Sequence, residues 1–265
     1  MLKASKWNDY GLELETRLRL KTFPIAFKLL KNEKDIPDGS QRPARDLGHR
    51  IALCQAFQLS RREGAVIAML LEDHWCHEPV IAFGLMEPPN YWLEGNSRYP
   101  RDVSTLEAGS HYVDDFPRLE AGKYIGMVCS PLKTANFDPD IVIIYCDAAQ
   151  LSLLLLGREW KDGYNLSTVL SAHSACVSGI APLFLEKKQR GYLVSIPCRG
   201  DHYSAIAGDD ELIFSVKKEN IDDLMTGLRE VEKTGSKLPH GYRLASRYSQ
   251  SPNYEKISKM MGLRE

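Results

Sequence analysis

CQAFQLSRREGAVIAMLLEDHWC (Cys54–Cys76) and CVSGIAPLFLEKKQRGYLVSIPC (Cys176–Cys198) decide how the rest of the chain is read. In both stretches a cysteine on a helical segment is followed, 22 positions later, by a cysteine just past an apolar strand. In the first, Leu47, Ile51, Cys54 and Phe57 recur at three- to four-residue intervals. Gly64 then stops the helix behind Arg61 and Arg62, and Ala65–Leu71 is a continuous apolar run of strand length. In the second, Asn165 is expected to cap a helix that runs through the small residues Ser171, Ala172, Ser174, Ala175, Cys176 and Ser178 to a break near Pro182. Tyr192–Ile196 is expected as the strand, ending in Pro197 and Cys198. Two coincidences of spacing and setting predict an internal duplication, and equivalent residues of duplicated halves converge near their pseudo-twofold axis.

Working outward, Trp7–Leu20 has the pattern of an amphipathic helix and Phe23–Leu30 that of a strand held extended at its start by Pro24. Tyr124–Cys129 and Ile141–Tyr145 are further strands, the second apolar throughout and therefore central. Asp147 is placed to cap a helix over Ala148–Leu156. Glu211–Val216 is a last strand, followed by a helix over Ile221–Lys233 with Asn220 as its cap and Asp222 and Asp223 in the first turn. The expected class is α+β: two pseudo-repeated halves, each with a cysteine-bearing helix and a mixed or antiparallel sheet. The expected division is a first half at 1–122, a second at 123–235 and a polar tail at 236–265, all in one compact unit. In the tail, Tyr254, Ile257, Met260 and Met261 could dock as one short helix. Met86–Gly122, with four prolines and scattered aromatics, lacks a sustained period and is expected as a long loop, either a lid or a structural cover.

Composition narrows the function. Thirty-four basic against thirty-five acidic residues leave a formal charge of −1, so nucleic acid is not expected as a partner. No apolar run approaches the ~20 residues of a membrane span, and the opening segment has charged residues where a secretory signal would be apolar. A cytoplasmic location is expected, with the six cysteines reduced or acting as ligands. G-x-S-x-G, H-E-x-x-H, G-x-x-x-x-G-K-[ST] and G-x-G-x-x-G are all missing, which removes support for the common hydrolase, zincin, P-loop and Rossmann readings. Homo-oligomerisation is left open.

Four thiolates suit a closed tetrahedral zinc site or a cubane iron–sulfur cluster, since soft sulfur is the preferred ligand of both. The spacing by itself favours a third reading, in which the cysteines are small buried hydrophobes. No C-x-x-C occurs, so ligands would be delivered singly.

The segments FPIAFKL at Phe23, LCQAFQLSRREG at Leu53, the Cys76 segment ending in AFGL, SPL at Ser130, DPDIVIIYCDAAQ at Asp138, IPCRGD at Ile196 and DDELIFSV at Asp209 resemble the family of domain of unknown function 169. The resemblance runs from Phe23 to about Lys233. It implies an uncharacterised protein of archaea and anaerobic bacteria whose recurrent cysteines fall on Cys54, Cys76, Cys176 and Cys198, while Cys129 and Cys146 lie outside the pattern. His202 departs from it, standing where relatives carry arginine. The resemblance favours a four-cysteine site and brings no reaction with it.

Around the cysteines, Asp73, His74 and His77 could orient a ligand or move protons, with a solvated turn as the preferred account. Arg199 and Asp201 could meet a substrate carboxylate or simply pair with each other. His173 is a substitute ligand, and Cys146 with Asp147 stands at a strand-to-helix junction that capping explains. The expectation is therefore an iron–sulfur (4Fe-4S) protein with ligands Cys54, Cys76, Cys176 and Cys198. As an oxidoreductase or lyase it would act on a small organic molecule, with His74, His77, Arg199 and Asp201 as catalytic candidates. A metal-free small-molecule binding module and a structural zinc protein are the alternatives.

Overall fold

In a computed structural model that describes residues 5–185, 190–238 and 252–263, the run IVIIYC forms the central strand, buried at every position. Along the chain come α1 (Lys6–Leu18), β1 (Ile25–Leu30), α2 (Leu53–Gln58), β2 (Ile67–Leu70), α3 (His77–Ala82), α4 (Asn90–Leu93) and α5 (Leu106–Asp115). There follow β3 (Gly126–Pro131), β4 (Ile141–Cys146), α6 (Ala148–Glu159), α7 (Ala175–Ser178) and α8 (Pro182–Leu185). The chain continues through β5 (Tyr192–Ser195), α9 (Arg199–Ser204), β6 (Leu212–Lys217), α10 (Ile221–Lys233) and α11 (Pro252–Met260). The six strands form one antiparallel sheet in the order β2-β3-β1-β4-β6-β5. Outward from the central β1–β4 pair, one flank runs β3 then β2 and the other β6 then β5.

The period of two along β4 sorts its side chains. Val142, Ile144 and Cys146 pack with Leu14 and Leu18 of α1, Leu153 and Leu154 of α6, and Leu224 and Leu228 of α10. Ile141, Ile143 and Tyr145 face the opposite layer, with Phe57, Phe83, Cys176 and Cys198. One face of the sheet is thus sealed by three long helices. The other carries short helices and the cysteines.

On the sealed face α6 and α10 meet at Gly157 and Gly227. A methyl group at 227 would fall inside the carbonyl of Gly157, which is backbone and cannot rotate aside. Gly227→Ala should therefore push the helices apart and cost about 1–3 kcal/mol, despite alanine's better helix propensity. Urea denaturation reads this directly, and a variant as stable as wild type would contradict the close approach.

The structure corrects several boundaries. The first cysteine helix begins at Leu53 rather than Leu47: Ile51 instead bridges to His74, and a wide turn over Leu59–Glu63 carries the helix to Gly64, whose φ is +81°. The expected helix from Asn165 does not form, and only Ala175–Ser178 is helical. The β-branched pair Thr168–Val169 disfavours a helix there, and the Thr168 hydroxyl bonds the Val194 carbonyl (2.7 Å), tying the segment to the edge strand instead. Ser174 sits at φ +54°. Within Met86–Gly122, expected to lack helical structure, α5 is capped by Thr105, whose hydroxyl accepts from Ala108 N at 3.1 Å, and Trp92, Val113 and Phe116 bury into the core. Asn220 precedes α10 as expected, but its side chain makes no cap bond. Asp147 does cap α6, accepting from Gln150 N at 2.9 Å. Tyr254, Ile257 and Met260 of α11, and Met261 just beyond it, are exposed.

Candidate functional site

Cys54 enters from α2, Cys76 precedes α3, Cys176 is on α7 and Cys198 precedes α9. All but the half-buried Cys76 are buried. Cys54 and Cys76 pack together with Ala52 and Ala205, which joins the two halves of the chain. Burial pushes the Cys54 thiol well up, and the nearby Asp201, Cys198 and Cys76 push it further. Burial also pushes Cys176 far up, followed by Cys54, Asp201, Cys198 and Cys76. Cys76 rises to about 11 through burial, with Glu78 and Cys198 adding to it. Each of these thiols lies within the others' electrostatic reach.

The two remaining cysteines stand apart. Cys129 is pushed up to about 12 by burial and accepts a hydrogen bond from Ser60 Oγ (3.3 Å). Cys146, also pushed to about 12 by burial, faces the opposite side of the sheet.

As placed, no three His, Cys, Asp or Glu side chains among the described residues could hold a metal ion. A tetrahedral ion with metal–sulfur bonds of about 2.3 Å needs its sulfurs within ~3.8 Å of one another. A polynuclear cluster interposes iron and sulfide and takes sulfurs spaced wider than that. The backbone amides of Gln55, Glu78 and Ala175 act on Cys54, Cys76 and Cys198 against the rise that burial imposes, the kind of influence that favours a thiolate.

Asp201 belongs to the same group. It has no exposed surface, and its Oδ2 accepts from Cys198 Sγ (2.9 Å) and Cys198 N (3.2 Å), while Oδ1 accepts from Tyr145 OH (3.2 Å). Above the Tyr145 ring, at 3.9 Å, lies the guanidinium of Arg61, which also forms a two-bonded pair with Glu211 (2.7 and 2.9 Å). The Arg199–Asp201 ion pair, one of the two readings of this turn, is therefore not formed: Arg199 is exposed, and the short helix α9 turns Asp201 inward instead. His202 is also exposed.

Asp73 and His74 are buried, which overturns the solvated-turn account. Asp73 accepts from Leu70 N (2.9 Å), Ala44 N (3.0 Å) and Arg42 Nε (2.5 Å). Neither ring nitrogen of His74 has a hydrogen-bond partner. His77 is half exposed and pairs with Glu78 Oε1 at 3.2 Å.

Glu78 leads to a second group that the sequence did not reveal. Buried Arg98 donates to Glu78 Oε1 (2.5 Å), Asp102 Oδ2 (3.1 Å), Tyr112 OH (2.5 Å) and Ser174 Oγ (3.2 Å), while Tyr112 OH donates to Glu78 Oε2 (3.2 Å). This group ties the segment after Cys76 to the one before Cys176. Two of its members, Tyr112 and Ser174, line a cleft of about 890 Å³ between α5 and residues 169–185, together with His173, Leu170, Val177 and Leu193. His173 packs edge-on against Tyr112 at 5.7 Å, at the cleft rather than among the cysteines' electrostatic partners.

Together these features define an α+β protein that gathers four cysteines under one face of an antiparallel sheet, beside an open cleft. A family model matches residues 13–227, and the chain belongs to that family, domain of unknown function 169, described as uncharacterised ArCR. No curated protein and no solved structure matches the chain. No helix among the described residues is long and apolar enough to cross a membrane.

Proposed function

We propose that the protein holds an iron–sulfur cluster through Cys54, Cys76, Cys176 and Cys198 and acts on a small organic molecule. One observation carries this reading: the four cysteines set apart by their repeated spacing lie within electrostatic reach of one another, with Cys54 packed against Cys76 and with Cys176 and Cys198 in one core cluster. The flanking order β3-β2 and β6-β5 about a central pair supports a duplicated origin, with two thiols from each half. The cluster would supply an electron carrier or, with one iron open, a Lewis acid. The chain's own contribution is a buried setting for the sulfurs and Asp201, whose Oδ2 accepts from Cys198 Sγ at 2.9 Å.

Anaerobic purification with iron and sulfide assays tests the proposal. The protein should be brown. Cys176→Ser should lose most of the visible absorption and iron, and Cys129→Ser should keep both. Colourless protein containing one zinc would favour the structural zinc reading, metal-free protein that takes up no iron on reconstitution would leave the cysteines as core residues, and colour lost only in Cys129→Ser would refute the ligand set.

A further inference from the structure

The Arg98 group, which reaches the cleft through Tyr112 and Ser174, is balanced in charge. Arg98 is matched by Glu78 and Asp102, Arg101 pairs with Asp102 at 2.7 Å, and these two cations and two carboxylates sum to zero. At the mouth, Asp114 and Asp115 against Arg118 leave a formal −1, all on solvent-accessible side chains. An anionic ligand would meet one cation, Arg118 beside Asp114 and Asp115, and none among Tyr112, His173 and Ser174. A cationic one would find no free carboxylate in the Arg98 group, because Glu78 already accepts from Arg98, Tyr112 and His77. What the cleft presents beside that group is a set of neutral dipoles. Tyr112 OH and Ser174 Oγ lie 3.1 Å apart, and burial first, then the charge of Arg98, lowers the His173 pKa.

The walls are aliphatic. Leu170 and Val177 face the cleft with Leu193, and Leu170 remains 55% exposed at the rim. A volume of about 890 Å³ is within the range of small-molecule sites, in which an apolar lining binds and a few convergent polar groups orient. Ser174, one of those groups, is a non-glycine residue in the left-handed region (φ +54°), a conformation that costs energy and clusters at sites of function.

From this we infer that the cleft binds an uncharged, largely apolar organic molecule, its hydroxyl or carbonyl head seated on Tyr112, Ser174 and His173 and its body against Leu170, Val177 and Leu193. The inference deepens the small-molecule part of the proposed function and is independent of the four cysteines.

Calorimetric titration of anaerobically purified protein with 2-naphthol, 2-naphthoate and 2-naphthylmethylammonium is the test. 2-Naphthol should bind at least tenfold more tightly than either charged analogue. Ser174→Ala should weaken it about fivefold, and Leu170→Asp, at an exposed position the fold does not need, about tenfold. Preference for a charged analogue, no heat from any of the three, or full affinity in Leu170→Asp would overturn the proposal. Iron is assayed on the same samples: iron present without naphthol binding sinks this inference and spares the cluster, whereas naphthol binding to protein that takes up no iron does the reverse.

Discussion

Arg61→Ala should lower the unfolding free energy by about 3–5 kcal/mol, the usual cost of removing one partner from a buried ion pair. Arg61 is 1% exposed, and both its terminal nitrogens bond to the Glu211 carboxylate across 150 positions of sequence. Burial alone would raise the Glu211 carboxyl. The bonds from Arg61 and the Gly208 amide and the charge of Arg61 outweigh it, so the group is held below the ordinary glutamate value. Without Arg61 that buried charge would keep only the Gly208 amide (2.9 Å) and the more distant guanidinium of Arg62 (3.9 Å). The guanidinium also covers the Tyr145 ring, so its removal opens space beside the residue that bonds Asp201. Urea unfolding at pH 7 measures the loss, and the double variant Arg61→Met, Glu211→Gln should recover most of it, since the stranded charge is then gone. A single variant within about 1 kcal/mol of wild type would show that the pair adds little, and a double variant as unstable as the single would move the cost to packing on Tyr145.

This pair marks where reading the sequence stops. Period and runs made the strands legible because burial on both faces leaves an unbroken apolar string, as in IVIIYC, and the Asp147 cap was legible because its partner is three residues away. Arg61 was read as a charge at a helix end, the ordinary place for arginine. Nothing local distinguishes it from Arg62, and its carboxylate lies on a segment before the last strand. The Arg98 group was hidden for the same reason: its members come from positions 78, 98, 102, 112 and 174, and the segment holding three of them was read as structureless. The cysteines escaped this blindness through their repeated spacing. Asp201 was legible as a candidate because it stands three residues beyond Cys198, although its partner proved to be that thiol and Tyr145 rather than Arg199.

His74 gives the second large effect, and here the protein becomes less stable with acid because of a group with no partner. Both ring nitrogens are buried without hydrogen bonds. Burial lowers its pKa from 6.5 to about 4, against the opposing charges of Asp73 and Glu72. The folded value thus lies below the unfolded one. Between pH 6.5 and 4 the unfolded chain binds a proton that the folded chain refuses, so stability is complete above about 6.5 and falls as pH drops through this window. For a shift of this size the loss between pH 7 and 4.5 is about 2 kcal/mol. His74→Leu has no proton to refuse and leaves no unpaired nitrogen. It should therefore exceed wild type in stability at pH 4.5 by at least that amount and by less at pH 7. Parallel urea titrations at the two pH values isolate the effect, because the carboxylates contribute equally to both proteins. If the two stability curves keep a constant separation from pH 7 to 4.5, His74 is titrating as an ordinary solvated imidazole, and the desolvated setting described for it is wrong.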